Sequence, residues 1–169
     1  TQELRKRYLR DSADRLIGIA WHSANPEAEN SKSTPLSAWN DILHTPGFRF
    51  VSLQYGDHDK ELRKVRQLSG VELIADKSID AKKDLDGFAA QVAAMDLVIS
   101  VSNTTVHVAG ALGCPVWTLV PASMGRIWYW FLDRTDSPWY PTMRLYRQPR
   151  SEDWTLPLRD VARDLRQWP

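Results

Sequence analysis

The sequence lacks the features of secreted and nucleic-acid-binding proteins. Cys114 is the single cysteine among 169 residues, so no internal disulfide can form, and a reducing, cytoplasmic location is expected. The 22 Lys and Arg residues nearly balance the 21 Asp and Glu residues, which leaves a formal net charge of +1. Because this charge creates no strong field for a polyanion, we expect no nucleic-acid partner.

Long apolar runs are also missing. The richest run, at 115–121, is far shorter than the roughly 20 residues that cross a bilayer, and prolines bracket it. Residues 1–10 carry charge throughout and lack the apolar centre of a secretory signal. The sequence therefore predicts no membrane span.

Signatures of several enzyme classes are absent as well. Gly18 is isolated, so no GxGxxG turn follows the first apolar run, and there is no glycine loop ending in Lys-Ser or Lys-Thr. No Cys or His pair has the spacing of metal ligands, and no nucleophile elbow is present. We therefore expect neither a metal site nor a bound cofactor.

What the sequence does have is apolar runs of strand length alternating with helical patterns. Continuously apolar runs are typical of parallel strands buried on both faces, so the predicted fold is α/β, a three-layer, doubly wound, Rossmann-like sheet. A single domain is expected over 1–169, with 1–14 a lead-in from a preceding half and 155–169 a terminal helix. Between Pro121 and this terminal helix the pattern is less regular. The predicted strands lie at 17–20, 51–53, 97–101 and 116–119, a long loop at 22–34, and helices at 59–68, 85–95 and 104–112.

Hydroxyl and amide side chains crowd between the predicted strand 97–101 and the helix that follows it. They are Ser102, Asn103, Thr104 and Thr105, with His107 one turn further on. In an open parallel sheet ligands bind at the carboxyl ends of strands, and a helix N-terminus there offers free amides and a partial positive charge. The segment favours an anion such as phosphate. The alternative is that Ser102 or Asn103 only caps the helix and His107 packs beneath it.

Two other loops supply candidate binding residues. Ser23 and Lys32 follow the first strand, where a lysine can neutralise a diphosphate leaving group without a metal. Gln54 ends the second strand, where Gln54 to Asp57 could contact a nucleoside or form an ordinary turn around Gly56.

Aromatic residues cluster after the last predicted strand. Trp128, Tyr129, Trp130, Trp139 and Tyr140 belong to a segment expected at the rim of this edge. Two interpretations stay open: the rings stack on a sugar, or they form a packed lid over the sheet.

Four stretches resemble the C-terminal half of glycosyltransferase family 9-like proteins. That group includes the heptosyltransferases of lipopolysaccharide assembly and bacterial proteins in which such a domain follows tetratricopeptide repeats. The resemblance spans roughly residues 17–154. The stretches are IGIAWHSANPEAENSKSTPLSAWNDIL, FRFVSLQYGD, DLDGFAAQVAAMDLVISVSNTTVHVAGALGCPVWTLVP and DSPWYPTMRLYRQPRSEDW.

The resemblance implies a GT-B architecture, in which two Rossmann-like domains face each other and the C-terminal one holds most of the nucleotide-sugar donor. The family's turn is similar to Asp-Ser/Thr-Gly-x-x-His. Asn103, Thr104 and His107 fit this turn, Thr104 stands where glycine is common, and Ser102 stands where the family usually has an acidic residue. The catalytic base would belong to the N-terminal acceptor half.

The function predicted from the sequence is the donor-binding domain of a glycosyltransferase that releases a nucleoside diphosphate. Its implied partners are the nucleotide-sugar donor, an N-terminal acceptor domain and, by the same resemblance, tetratricopeptide repeats. We expect the isolated chain to bind but not to transfer. The alternatives are a non-catalytic ligand-binding or interaction module, which Ser102 keeps open, and a related enzyme such as a sugar-nucleotide epimerase.

Overall fold

The structure is a computed structural model that describes residues 1–10, 13–23, 29–123 and 127–169. The described residues form one five-stranded sheet, and each strand is parallel to its neighbours. The strands are β1 (Arg15–Ala20), β2 (Phe48–Ser52), β3 (Leu97–Val101), β4 (Val116–Val120) and β5 (Met143–Arg147). Their order across the sheet is β2-β1-β3-β4-β5.

Helices cover both faces of this sheet. Two short 3-10 turns lie at Leu36–Trp39 and Trp128–Trp130. The α-helices are α1 (Gln2–Leu9), α2 (Glu29–Lys32), α3 (Asn40–Leu43), α4 (Asp59–Ser69), α5 (Leu85–Val92), α6 (Thr104–Ala111) and α7 (Thr155–Arg166).

The two faces have separate hydrophobic cores because successive strand residues point to opposite sides. On one face Ile17, Ile19 and Trp21 pack with side chains of α3, α4 and α7. On the other face Leu16 and Val98 pack with side chains of α1, α5 and α6. All five of these side chains have no exposed surface, so truncating one of the aliphatic ones to alanine is expected to cost about 2–5 kcal/mol.

Gly18 lets β1 sit close to the second core. A Cβ at Gly18 would lie 2.4 Å from Leu53 Cδ1 and 2.8 Å from Met95 Cγ, closer than real contacts allow. The isolated glycine in the first strand therefore has a packing role, which agrees with the absence of a GxGxxG turn after it.

The four predicted strands are confirmed as adjacent and parallel, and the Rossmann-like α/β fold is confirmed with them. The predicted helices are present with shifted ends: α5 ends at Val92 instead of 95, and α6 ends one residue early, at Ala111. The lead-in is itself a helix, α1, which buries Leu4 and Tyr8. Within the predicted loop 22–34, α2 forms at its end, and residues 24–28 lie outside the described part.

The fifth strand, β5, was not predicted. It pairs in parallel register with β4, from Val116 opposite Met143 to Val120 opposite Arg147. Two of its five residues are arginines, so it lacks the continuous apolarity that marks the other strands. It is the last strand of the sheet, and beyond β4 its described backbone contacts include a single antiparallel bridge of Arg144 with Asp136 and a bond from the Leu145 amide to the Thr135 carbonyl. An edge position of this kind permits charged residues.

The strand order places a topological switch point between β1 and β3. From β1 the chain moves to β2 on one side and then crosses to β3 on the other. The loops after β1 and β3 therefore diverge at the carboxyl edge and leave a crevice between them, where ligands of such sheets bind.

None of the described helices combines the length and apolarity required to span a membrane. In the same described ranges no three His, Cys, Asp or Glu side chains are grouped as a metal site would need.

Candidate functional site

The loops after β1 and β3 contact each other directly across the crevice. Asn103 Nδ2 donates to the His22 carbonyl at 3.2 Å, and Lys32 Nζ donates to the Ser102 carbonyl at 3.3 Å. Residues that are 70 or more positions apart in the chain thus share one site. The structure brings together Ser23, Lys32 and the segment 102–107, which we call the β3–α6 turn.

Asn103 caps helix α6. Its Oδ1 accepts from the Thr105 amide at 2.9 Å and from Ser100 Oγ at 3.2 Å. The first four amides of a helix have no acceptor within the helix. The Asn103 amide donates to Val101 and the Thr105 amide to the cap. The amides of Thr104 and Val106 have no such loop or side-chain acceptor in the part of the chain that the structure describes, so they are available at this end.

Lys32 is an unusual component, since its side chain is almost fully buried. The residue is 5% exposed, and its ammonium makes one hydrogen bond within the described part of the chain, to a neutral carbonyl. Burial lowers the pKa of Lys32 below its usual value. An ammonium has three donors, and a buried charge is costly unless it is paired. None of the acidic side chains that the structure describes supplies that counter-charge.

The predicted hydroxyl residues lie around the same point. Ser102 is 3% exposed, and its Oγ has no hydrogen-bond partner in the described ranges. Ser23 is buried, and its amide donates to Ser33 Oγ at 3.0 Å. Thr105 is buried, whereas Thr104 is exposed at the open end of the helix. Ligand contact at these residues stays a prediction.

His107 is held by aromatic residues. Its Nδ1 lies 3.1 Å from Tyr140 Oη and its Nε2 lies 3.2 Å from Tyr129 Oη, while Trp130 stacks on the ring at 5.4 Å. Burial, and then the charge of Lys32, lower the pKa of His107. Both effects favour the neutral form of the imidazole, which lies one helical turn after the cap.

Gln54 is occupied by the backbone. Its Oε1 accepts from the amides of Trp21 (3.1 Å) and His22 (2.9 Å), and its Nε2 donates to the carbonyls of His22 and Tyr55 (both 3.3 Å). The side chain therefore joins the ends of β1 and β2. It fixes the loop that leads to Lys32, and its predicted role as a ligand contact stays a prediction.

A groove leads from the β3–α6 turn towards β2. A pocket of about 150 Å³ is lined by Tyr55, Lys82, Phe88, Thr104 and Thr105. The first three also line a neighbouring cleft of about 450 Å³. Lys82 Nζ lies 5.3 Å from the centre of the Tyr55 ring. Sequence reasoning missed Lys82 and Phe88, because one lies in a turn and the other fits an ordinary helix core.

His107 also lines a second cavity, of about 340 Å³, which we call the aromatic box. Its lining residues are His107, Trp128, Tyr129, Trp139 and Tyr140. The packed interpretation fits the buried ring of this segment, and stacking on a sugar stays a prediction for the exposed rings. Trp130, directly behind the box, is fully buried, whereas Trp128 is 74% and Trp139 54% exposed.

The fold belongs to a class seen in solved glycosyltransferases. E. coli heptosyltransferase WaaC with ADP superposes with a TM-score of 0.63 at 15% identity, over 96% of this chain and 48% of that one. E. coli ADP-heptose lipopolysaccharide heptosyltransferase II gives 0.61 at 16%, over 98% and 51%. The glycosyl transferase family 9 protein of Veillonella parvula DSM 2008 gives 0.56 at 18%, over 88% and 41%. These likenesses establish the fold, and the chain spans about half of each protein.

No family model matches the chain. In sequence, the chain is similar to Protein FlbA of Caulobacter vibrioides (strain ATCC 19089 / CIP 103742 / CB 15). The two are 39% identical over 155 residues, which is 89% of this chain and 25% of that protein. The chain thus spans about a quarter of this curated relative.

Proposed function

We propose that this chain is the donor-binding domain of a GT-B glycosyltransferase of the family 9 type, which binds a nucleoside diphosphate sugar with its diphosphate at the β3–α6 turn. The site would serve transfer of the glycosyl group with release of the nucleoside diphosphate. In this proposal the described chain is the C-terminal half of the catalytic unit and works in the cytoplasm of a bacterium. An N-terminal acceptor half, and tetratricopeptide repeats before it, complete the protein.

The single observation that carries this proposal is the buried Lys32 ammonium without an acidic partner in the described ranges. It lies against the Ser102 carbonyl, at the start of the turn whose Thr104 and Val106 amides are available. An anion there would receive charge-assisted hydrogen bonds from lysine and backbone together. It would also gain from the positive end of the α6 dipole.

A diphosphate fits this arrangement better than a carboxylate does. A carboxylate offers two oxygens, whereas a diphosphate carries two anionic groups that can meet Lys32 and the helix end separately. The pocket beside Thr104 and Thr105 then receives the nucleoside, with the Tyr55 ring and the Phe88 side chain as apolar walls. The solved heptosyltransferase with ADP, which shares this fold, supports a nucleoside diphosphate as the ligand class.

Catalysis requires more than this chain. The described donor site contains no carboxylate aimed at the turn, since Ser102 stands where an acid would, and His107 is engaged by two tyrosines. We therefore place the general base on the acceptor half and propose that the isolated chain does not transfer sugar.

The proposal is tested with a thermal-shift panel of UDP, ADP and GDP on the chain and on two variants. A ligand at a hundred times its dissociation constant stabilises by about 2.7 kcal/mol. Lys32→Met should lose at least tenfold in affinity, because it removes a charge-assisted hydrogen bond. Lys64→Met, which changes an exposed lysine on α4, is the matched control.

No shift with any diphosphate would contradict the donor-site proposal and favour the non-catalytic interaction module. Equal binding by the wild type and Lys32→Met would remove the lysine from the site. Acceptor-dependent release of nucleoside diphosphate by the isolated chain would show that the base lies in this chain.

A further inference from the structure

We propose that the aromatic box is a saccharide-binding subsite, which takes the glycosyl group of the donor against the faces of Trp128 and Trp139. This inference rests on the proposed function, because it places the sugar next to a diphosphate held at the β3–α6 turn.

The position of the box fits a group attached to that diphosphate. His107 lies four residues after the cap Asn103, so both lie on the same side of α6. One helical turn rises 5.4 Å, and helical side chains lean towards the N-terminus. A ligand anchored at the Thr104 amide therefore has its next group at the mouth of the box.

The base of the box offers hydrogen bonds whichever way the imidazole is protonated. A neutral ring donates from one nitrogen and accepts at the other. One tyrosine hydroxyl, Tyr129 or Tyr140, must therefore accept from His107 and keep its own proton free. A ligand thus meets a hydroxyl donor and oxygen lone pairs beside aromatic walls.

The walls are large exposed rings set at right angles. Trp128 and Trp139 lie 6.0 Å apart with their planes at 87°, and Trp128 makes a second edge contact with Tyr129. Exposed apolar surface of this kind marks a binding site. The pairing of aromatic faces with a polar base suits a pyranose, which has apolar C–H faces and a rim of hydroxyls.

Aromatic boxes also bind quaternary ammonium groups. Here the charge of Lys32 argues against a cation, since it is near enough to lower the pKa of His107. The described residues lining the box include no acidic side chain. Of the two ligand classes, the electrostatics favour the uncharged saccharide.

The box is fixed in shape before a ligand arrives. Arg147 donates to the carbonyls of Trp130 and, at 2.9 Å, of Arg134, so the segment is tied to β5. Gly110 lets Tyr140 close onto α6, since a Cβ there would lie 2.5 Å from the tyrosine ring. Phe131, after the buried Trp130, adopts φ 54°, a strained conformation that persists only where the surrounding structure holds it.

The test compares each diphosphate with its sugar nucleotide by calorimetry, using UDP, ADP and GDP against UDP-N-acetylglucosamine, UDP-glucose, ADP-glucose and GDP-mannose. Trp139→Ala should lower the affinity for the sugar nucleotide about tenfold, equal to about 1.4 kcal/mol. It should lower the affinity for the diphosphate less than twofold. Trp139→Phe keeps an aromatic face and should retain most of the affinity. Leu68→Ala, at an exposed leucine on α4, is the control.

Each outcome decides one of the two claims. Unchanged sugar-nucleotide binding in Trp139→Ala would overturn the subsite while leaving the diphosphate site intact. Equal losses for diphosphate and sugar nucleotide would also overturn it, because the box would then only support the turn. Binding of neither class by the wild type would overturn the proposed function, and the subsite with it.

Discussion

The β3–α6 turn and the aromatic box share His107 and have opposite chemical character. The turn is mostly polar and, apart from Thr104 and His107, buried, and its Asn103 side chain is hydrogen-bonded to the backbone of both loops. The box is apolar and open, and its walls Trp128 and Trp139 are more than half exposed. An anionic group and an uncharged sugar ring, the two groups proposed to bind here, would need these different supports.

The two regions also differ in their effect on stability. Burying an ammonium without an acidic partner lowers the free energy of unfolding, because the charge loses its hydration. The exposed rings of the box carry no such desolvation cost. Natural sites often keep such a destabilising group because a ligand needs it. The next three changes act on the turn and leave the box in place, so each separates one region from the other.

The largest effect is expected from Lys32→Met, which we predict to raise the free energy of unfolding of the ligand-free chain by about 2 kcal/mol. An apolar side chain of similar size there replaces a buried charge that has no acidic partner among the described side chains. Chemical denaturation at pH 7 measures it. The gain should shrink at alkaline pH: the folded-state pKa of Lys32 is lowered, so the wild type gains stability as pH rises through that value. A loss of stability in Lys32→Met would mean that the ammonium is paired after all.

Thr104→Asp should come next. It places a carboxylate at the exposed first position of α6, where the diphosphate is proposed to bind. Repulsion at close range costs about a kcal/mol or more, so diphosphate affinity should fall about tenfold. Folding should be unharmed, because an acidic residue in the first turn complements the helix dipole. Titration calorimetry with Thr104→Asn as the isosteric control measures the change, and unaltered affinity would refute the location.

Asn103→Ala should give the smallest of the three effects. Loss of the cap is expected to destabilise the chain by about 1 kcal/mol, and loss of the bond to the His22 carbonyl should loosen the contact between the two loops. Faster amide exchange at Thr105, with exchange in β3 unchanged, is the expected signature. Amide exchange that stays unchanged at Thr105 as well as in β3 would show that Asn103 does not hold the crevice.

Much of the fold could be predicted because the strands β1, β3 and β4 are mostly apolar, with one polar residue each, and alternate with helical patterns. The fifth strand could not, since Arg144 and Arg147 break its pattern and its position depends on pairing with β4. Local chemistry also gave Ser102 or Asn103 as the cap, because capping depends on residues two or three positions away, and the structure has Asn103 in that role.

The tertiary part of the site had no local signal. The contact of Lys32 with Ser102 joins positions 70 residues apart, and the tyrosines that hold His107 come from a segment without a regular pattern. Sequence placed these side chains at one edge of the sheet. It could not predict that the lysine is buried and lacks an acidic partner among the described residues, which is the property that points to an anion.

The central claim is that Lys32 is the counter-charge of the donor diphosphate, and the most direct measurement is the pKa of its side chain, followed by NMR of the ¹³Cε signal. Without ligand the pKa should lie below the usual lysine value of about 10.4, as burial dictates. On saturation with the diphosphate that binds best it should rise, because the anion stabilises the ammonium. An ordinary pKa in the free chain, or a lowered one that the diphosphate leaves unchanged, would contradict the account.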